Sequence, residues 1–288
     1  MSQITDVIAL IFDFDDTLAP DSTVALLASR GIDTSKFWAV QRELIQSGYD
    51  PPLAYLKLLL DNIGKDKPLG ELTNRDLIKF ATSIDNTFHE GLPEFFDEIK
   101  DDVKNTYKDI EVEYYIVSGG LQSIIESTVI VQKYFTGVYG CQLTGDSEDG
   151  VLKYIKRCVT FTEKTRYLFE INKGITPSDS QKNPYFVNKF VPTEKRRVPF
   201  SNMIYVGDGL TDVPCFSLIT SLGGFAFGVF DPTKKDKAKL AFEEFLQPHR
   251  VSSMHAPRFT PDSELGTMLH TAVLTRCSKI QLQRGSAL

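Results

Sequence analysis

Asp13, Asp15 and Asp16 crowd together just ahead of Thr17, directly after the apolar run from Val7 to Phe12. Carboxylates this close repel one another and lose hydration when enclosed, so a plain turn is a poor reason to gather them. A hard cation removes the conflict, and Mg²⁺ takes oxygen ligands of this kind. Three further groups stand apart in the chain: Ser118-Gly119-Gly120, Lys164, and Asp208 with Asp212 in Gly207-Asp208-Gly209-Leu210-Thr211-Asp212. Each alone has a bland reading: a turn, a solvated helix lysine, a loop. Together they match a demand. In-line phosphoryl transfer needs a nucleophile, a metal to neutralise phosphate charge, donors for the equatorial oxygens and an acid for the leaving group.

These groups act together only if the fold gathers them. Val7 to Phe12 reads as a strand buried on both faces of a parallel sheet. Val112 to Val117 reads as a second, running straight into a Ser118-Gly119-Gly120 turn, and Met203 to Val206 as a third, ending at Gly207. Parallel neighbours would bring Asp13, Asp15, Ser118, Asp208 and Asp212 to one rim, where open α/β sheets bind ligands. Gly137 to Leu143, Val151 to Phe161 and Gly224 to Phe230 are further expected strands, the first two around a polar turn at Thr144 to Gly150. A helix is expected from Pro93, with Glu94 and Asp97 in its first turn. Others carry Leu121, Ile124 and Ile125, or span Glu163 to Ile171, Lys237 to Leu246 and Glu264 to Leu274, the last ahead of a polar tail. Lys164 then sits at the start of a helix that follows a strand.

Between Asp21 and Thr87 the pattern is purely helical. Leu26, Phe37, Val40, Leu44, Leu56, Leu59, Ile63, Leu77, Ile78 and Ala81 fall at amphipathic spacing. Pro51-Pro52 and the stretch Gly64 to Pro68 read as breaks, and Thr73 with Asp76 as a helix start. Trp38 reads as helix packing within this insertion. Gly174 to Pro199 is polar and punctuated by Pro177, Pro184, Pro192 and Pro199, which predicts an extended surface excursion.

Composition limits the partners. Hydrophobic and charged contents of 42% and 24% are ordinary for a soluble globular protein. A net charge of −6 and a pI near 5.4 argue against a nucleic-acid partner. Cys141, Cys158, Cys215 and Cys277 form no close pair in the sequence, which suits free thiols in a reducing compartment and supports neither zinc nor a disulfide framework. The first residues lack the regions of a signal peptide, and no apolar run approaches a membrane span. A cytoplasmic protein with no membrane partner is expected. His89, His249, His255 and His270 lack metal-ligand spacing, and Glu194-Lys195-Arg196-Arg197 reads as a solvated face.

The four groups, in this order, resemble the four signatures of the haloacid dehalogenase-like superfamily. Asp13-Phe14-Asp15-Asp16-Thr17 is similar to the first, Ser118-Gly119-Gly120 to the second, Lys164 to the third and Gly207-Asp208-Gly209 to Asp212 to the fourth. The resemblance implies a Rossmann-like, doubly wound parallel sheet, with residues 1–20 and 88–288 as the catalytic core and 21–87 as an inserted α-helical cap. It implies that Asp13 attacks phosphorus and that Asp15 protonates the leaving group, then activates water. It implies that Ser118, Gly119 and Gly120 hold phosphoryl oxygens, and that Lys164 offsets the charge of the nucleophile. Mg²⁺ would be held by Asp13, the Asp15 carbonyl and Asp208, with Asp212 at metal water or Lys164. Lys173, Lys182 and Lys189 are weaker rivals of Lys164, since none begins a helix after a strand.

Within the superfamily the pattern most resembles phosphoserine phosphatase-like enzymes. Those carry a glutamate shortly after the first signature that contacts the substrate's amino group. This chain departs there: the aligned residue is Ser22, with Asp21 beside it. The expected activity is hydrolysis of a small phosphorylated metabolite with Mg²⁺. A phosphotransferase or mutase would use the same residues, and a non-catalytic regulatory protein on this scaffold is the alternative from another class.

Overall fold

The computed structural model describes residues 6–148 and 150–285. Residues 1–5 of the stretch read against a signal peptide, Asp149 of the polar turn and residues 286–288 of the tail lie outside that range. The strands are β1 (Val7–Phe12), β2 (Glu111–Leu121), β3 (Phe135–Thr144), β4 (Tyr154–Arg157), β5 (Met203–Gly207), β6 (Phe225–Val229) and β7 (Ser253–His255). They form one sheet in the order β4-β3-β2-β1-β5-β6-β7. Every neighbouring pair is parallel except β3 with β4. The chain runs outward from β1 in one direction to β4, then returns to the far side of β1 with β5. The crevice between β1 and β5 is therefore the switch point of a doubly wound sheet.

Four helices follow β1: α1 (Ser22–Ser29), α2 (Thr34–Gln46), α3 (Pro51–Asp61) and α4 (Asn74–Ile84), and α5 (Glu94–Thr106) leads back to β2. The short α6 (Gln122–Ile125) and α7 (Val129–Tyr134) join β2 to β3. Then come α8 (Phe161–Lys173), α9 (Pro177–Lys182), α10 (Val213–Ser221), α11 (Lys235–Ala241) and α12 (Glu264–Gly285). None of the described helices is long and apolar enough to cross a membrane.

Register fixes two opposite packing faces. Phe12 pairs with Ile116, so it shares a face with Tyr114, and both rings pack on Phe96 of α5. Tyr139 pairs with Val117, one residue out of phase, and stacks at 4.5 Å on Tyr167 of α8. Helices thus cover both faces, which is why every residue of β1 is buried.

Local chemistry sets the four-helix segment. The Asp21 and Asp33 carboxylates cap α1 and α2, Pro51 and Pro52 open α3, and Thr73 with Asp76 forms a capping box on α4. The segment leaves and re-enters the sheet through a narrow neck. The His89 N–H donates to the Leu18 carbonyl at 2.9 Å, and the Phe14 and Phe88 rings meet edge to face at 5.7 Å.

Several expectations need correction. Val151 to Phe161 is not one strand: only Tyr154–Arg157 pairs with β3, and Phe161 already opens α8. Leu152 and Val159 owe their apolar character to burial outside the ladder. Pro93 is the N-cap of α5 rather than its first residue. The Gly174 to Pro199 excursion carries α9 and 3₁₀ turns at Pro184–Asn188 and Thr193–Lys195. Its closing end is tied to α8, where Asn172 Nδ2 donates to the Val198 carbonyl at 2.7 Å. Val40 and Ile78 are exposed, so the helical apolar stripe is narrower than its sequence.

Candidate active site

Asp13 follows β1 at the switch point, and its backbone N–H continues the ladder to the Val206 carbonyl at 2.9 Å. The carboxylate is gripped on both oxygens. Oδ1 accepts the Phe14 N–H at 2.7 Å, and Oδ2 faces Lys164 Nζ at 2.7 Å. Lys164 comes from the first turn of α8 and is 1% exposed. Its ammonium also donates to Asp212 Oδ1 at 2.7 Å, so one buried cation joins two carboxylates. Burial alone would pull its proton affinity down; Asp13 and Asp212 outweigh that and hold it above the ordinary lysine range.

Asp212 closes the set from beyond β5. Its Oδ1 also accepts the Tyr205 hydroxyl at 2.7 Å, and Oδ2 accepts the Gly209 N–H at 3.0 Å. Gly207 is required here, because a β-carbon on it would fall 2.5 Å from Asp212 Cγ. Asp13, Asp208 and Asp212 each place a carboxylate oxygen within 4.8 Å of the others. All of these donors are hard oxygens, a set that fits Mg²⁺ and not a soft metal. The Asp15 side chain is not part of this cluster.

Asp15 has a different setting. Its Oδ1 accepts the Ser22 N–H at 2.7 Å. Enclosure by protein pushes its carboxyl well above the usual range, and the nearby Asp21 adds to the shift. The two aspartates thus have separate characters: Asp13 sits against a buried ammonium, whereas Asp15 is held toward its protonated form. Asp16, between these and Thr17, adopts a positive φ of 55°, the one residue of the loop turned into left-handed backbone.

Ser118, Gly119 and Gly120 are not a turn after a strand. Val117 pairs with Tyr139 and Leu121 with Cys141, so three residues of β2 stand opposite Gly140 alone. They form a bulge that pushes the backbone toward Asp15. Ser118 is buried and its Oγ accepts the Gly120 N–H at 3.1 Å. The Gly119 carbonyl accepts a short hydrogen bond from the Tyr55 hydroxyl of α3.

All the predicted residues meet around one cavity except Gly207, Gly209, Asp212 and Lys164, which stand just behind it. The cavity has a volume of about 300 Å³ and is closed on the helical side by Asp21, Thr23, Trp38, Gln41, Pro51, Pro52 and Tyr55. Sequence reasoning missed Tyr205, whose apolar strand hides a polar tip, and Tyr55 and Gln41. Trp38 does pack on Phe37 and Tyr55, as expected of it, but it also lines the site. Of the rival lysines, Lys173 spends its ammonium on the Val187 and Lys189 carbonyls. The basic cluster at Lys195, Arg196 and Arg197 borders Asp6 and Glu111, at the opposite ends of β1 and β2. The cysteines are all free thiols.

No protein-family model matches the chain. It is 28% identical to an uncharacterized protein of Borreliella burgdorferi over 92% of this chain and 96% of that one. Its fold is similar to the phospho-aspartyl intermediate analogue of a phosphoserine phosphatase, with a TM-score of 0.53, 15% identity, and 92% and 98% of the two chains covered. It is also similar to a HAD family hydrolase of Salmonella enterica serovar Typhi, with a TM-score of 0.51 and 13% identity over 82% of this chain. There it spans just under two thirds of the other protein's length, 66%. At such identities the likeness is one of architecture.

Proposed function

We propose that this chain, whose fold is haloacid dehalogenase-like, is a Mg²⁺-dependent phosphatase of a small phosphomonoester, acting through an aspartyl-phosphate on Asp13. The observation that carries the reading is the Lys164 ammonium, placed 2.7 Å from both Asp13 and Asp212 with Asp208 in the same carboxylate cluster. A chain that needed only stability would rarely bury two carboxylates and a lysine at the rim of a cavity.

Asp13 is oriented for attack by the Phe14 N–H and by Lys164, which offset the weak nucleophilicity of a carboxylate. As the Asp13 oxygen bonds to phosphorus, the ester P–O bond breaks and the leaving oxygen takes the proton held by Asp15. Ser118 and the backbone of the bulge face the phosphoryl oxygens. Asp15, now a carboxylate, then takes a proton from water, whose oxygen attacks phosphorus, releases phosphate and restores Asp13. Mg²⁺, held by Asp13, the Asp15 carbonyl and Asp208 with Asp212 behind, would supply charge neutralisation for the phosphoryl group. Residues 21–87 serve as a cap that excludes water and contacts the leaving group, and the small cavity beneath it favours a metabolite as the substrate.

The test is a panel of phosphomonoesters assayed with Mg²⁺ and with a chelator. Phosphate release that depends on Mg²⁺ and disappears in Asp13→Asn is the expected result. Undiminished turnover in Asp13→Asn would overturn the reading.

A further inference from the structure

The pairing of β3 with β4 brings two cysteines together. Gln142 pairs with Arg157, so the next step of that antiparallel register sets Cys141 opposite Cys158. Directly opposed residues of such a pair have Cα atoms about 4.5–5.5 Å apart and side chains on one face. That separation falls inside the range of about 4.4–6.8 Å that a disulfide spans. The two thiols hydrogen-bond one another, and the Val159 N–H donates to Cys141 Sγ at 3.2 Å. Both are free thiols, Cys141 buried and Cys158 half-buried.

This setting changes their chemistry. The hydrogen bond with Cys158, helped by the Val159 N–H and the Tyr55 hydroxyl, holds the Cys141 thiol below the ordinary range against its burial. The same bond pushes Cys158 up, so the pair sheds one proton readily and the second with difficulty. The pair also adjoins the site. The Tyr55 hydroxyl, which reaches the Gly119 carbonyl, reaches the Cys141 sulfur too. Val159 is the nearest neighbour of the bulge, its carbonyl 4.0 Å from where a β-carbon on Gly119 would stand. Thr160 caps α8 and its carbonyl accepts the Lys164 backbone N–H at 3.1 Å.

We propose that Cys141 and Cys158 are an oxidant-responsive dithiol site, which takes a hydroperoxide and closes to a disulfide that slows turnover in the adjoining cavity. One thiolate attacks the peroxide O–O bond; that oxygen becomes part of a sulfenic acid, and the other takes a proton and leaves as water or alcohol. The second sulfur attacks the sulfenic sulfur, the S–S bond forms and a further water departs. Two electrons pass from the two sulfurs to the peroxide. Closure draws the sulfurs from hydrogen-bond separation to about 2.05 Å. It takes Cys141 away from the Tyr55 hydroxyl and pulls residues 158–160 toward β3, and with them the bulge contact and the lead-in to Lys164. A dithiol reductant reverses the step.

The test treats the reduced full-length protein with hydrogen peroxide, counts thiols after denaturation and maps the linked peptides. Of the four thiols, Cys141 and Cys158 should vanish into a mutual disulfide and return with dithiothreitol. Oxidation should lower kcat/KM for p-nitrophenyl phosphate with Mg²⁺ about tenfold, reversibly, the scale of a small misplacement of a catalytic group. Cys158→Ser should match the reduced wild type in activity, form no such disulfide and keep its turnover in peroxide. Unaltered thiols, a disulfide joining other cysteines, a Cys141–Cys158 disulfide with unchanged kcat/KM, or a reversible loss that persists in Cys158→Ser would each overturn the proposal. The effect on turnover rests on the phosphatase reading, whereas the peptide map needs no turnover. If no ester is hydrolysed, that reading falls and the presence or absence of the Cys141–Cys158 linkage still decides the dithiol site.

Discussion

Gly120 and Asp15 are in such close contact that a β-carbon on residue 120 would lie 2.5 Å from Asp15 Oδ2. The strand bulge therefore packs directly on the side chain proposed as the acid. Gly120→Ala should displace the Asp15 carboxyl while leaving the sheet intact. The expected outcome is a fall in kcat of about a hundredfold with unchanged far-UV circular dichroism. A fully active Gly120→Ala protein would show that Asp15 has room to move.

Asp15→Asn separates the acid role from a structural one. General acid catalysis contributes about a hundred- to ten-thousand-fold, and only where the leaving group needs a proton. Alkyl phosphates should therefore suffer that full loss, and an activated aryl phosphate much less. Equal loss for both classes, measured as kcat, would leave Asp15 holding structure or metal only.

Lys164→Met would strand Asp13 and Asp212 without their cation. Removing one member of a buried ion pair costs about 3–5 kcal/mol, most of it the penalty of the unpaired charge. Urea unfolding should show this loss at neutral pH, together with loss of phosphate release. Lys173→Met, which removes an ammonium bonded to the Val187 and Lys189 carbonyls of the excursion, should keep the activity.

The proposed cap role of residues 21–87 predicts a substrate size limit. Small soluble phosphomonoesters should be hydrolysed far more efficiently than a folded phosphoprotein, because the cavity is small and α2 and α3 overhang it. Replacing residues 21–87 with a short Gly/Ser linker should depress turnover of the best small ester while Mg²⁺ binding, followed by calorimetry, persists. Comparable kcat/KM for a phosphoprotein and the best small ester would count against the cap as a lid.

What could be read from the sequence was whatever one local pattern determines. The run Val7 to Phe12 announces a strand buried on both faces, and a capping or turn role explains the crowded carboxylates beyond it less well than a shared site does. Lys164 was recoverable because it opens a helix directly after a strand. The bulge at residues 118–120 was not, since pairing Leu121 with Cys141 is a choice made between two strands. β7 escaped for the same reason: Ser253–His255 has little strand character and becomes a strand only by pairing with β6. Tyr205 looked like core because its strand is core, and only the fold aims its hydroxyl at Asp212. Trp38 and Tyr55 lie on helices whose apolar residues serve both packing and cavity, and helical periodicity cannot separate the two uses.

Trp38 is the sole tryptophan in the sequence, and it lines the site. The molecule therefore carries its own optical probe where it is most informative. No second indole dilutes the signal, so emission from the unlabelled protein reports on this cavity alone. Ligand entry, formation of the proposed covalent intermediate and product departure can each be followed in real time by stopped flow. The individual rate constants of the cycle become accessible without a chromogenic substrate.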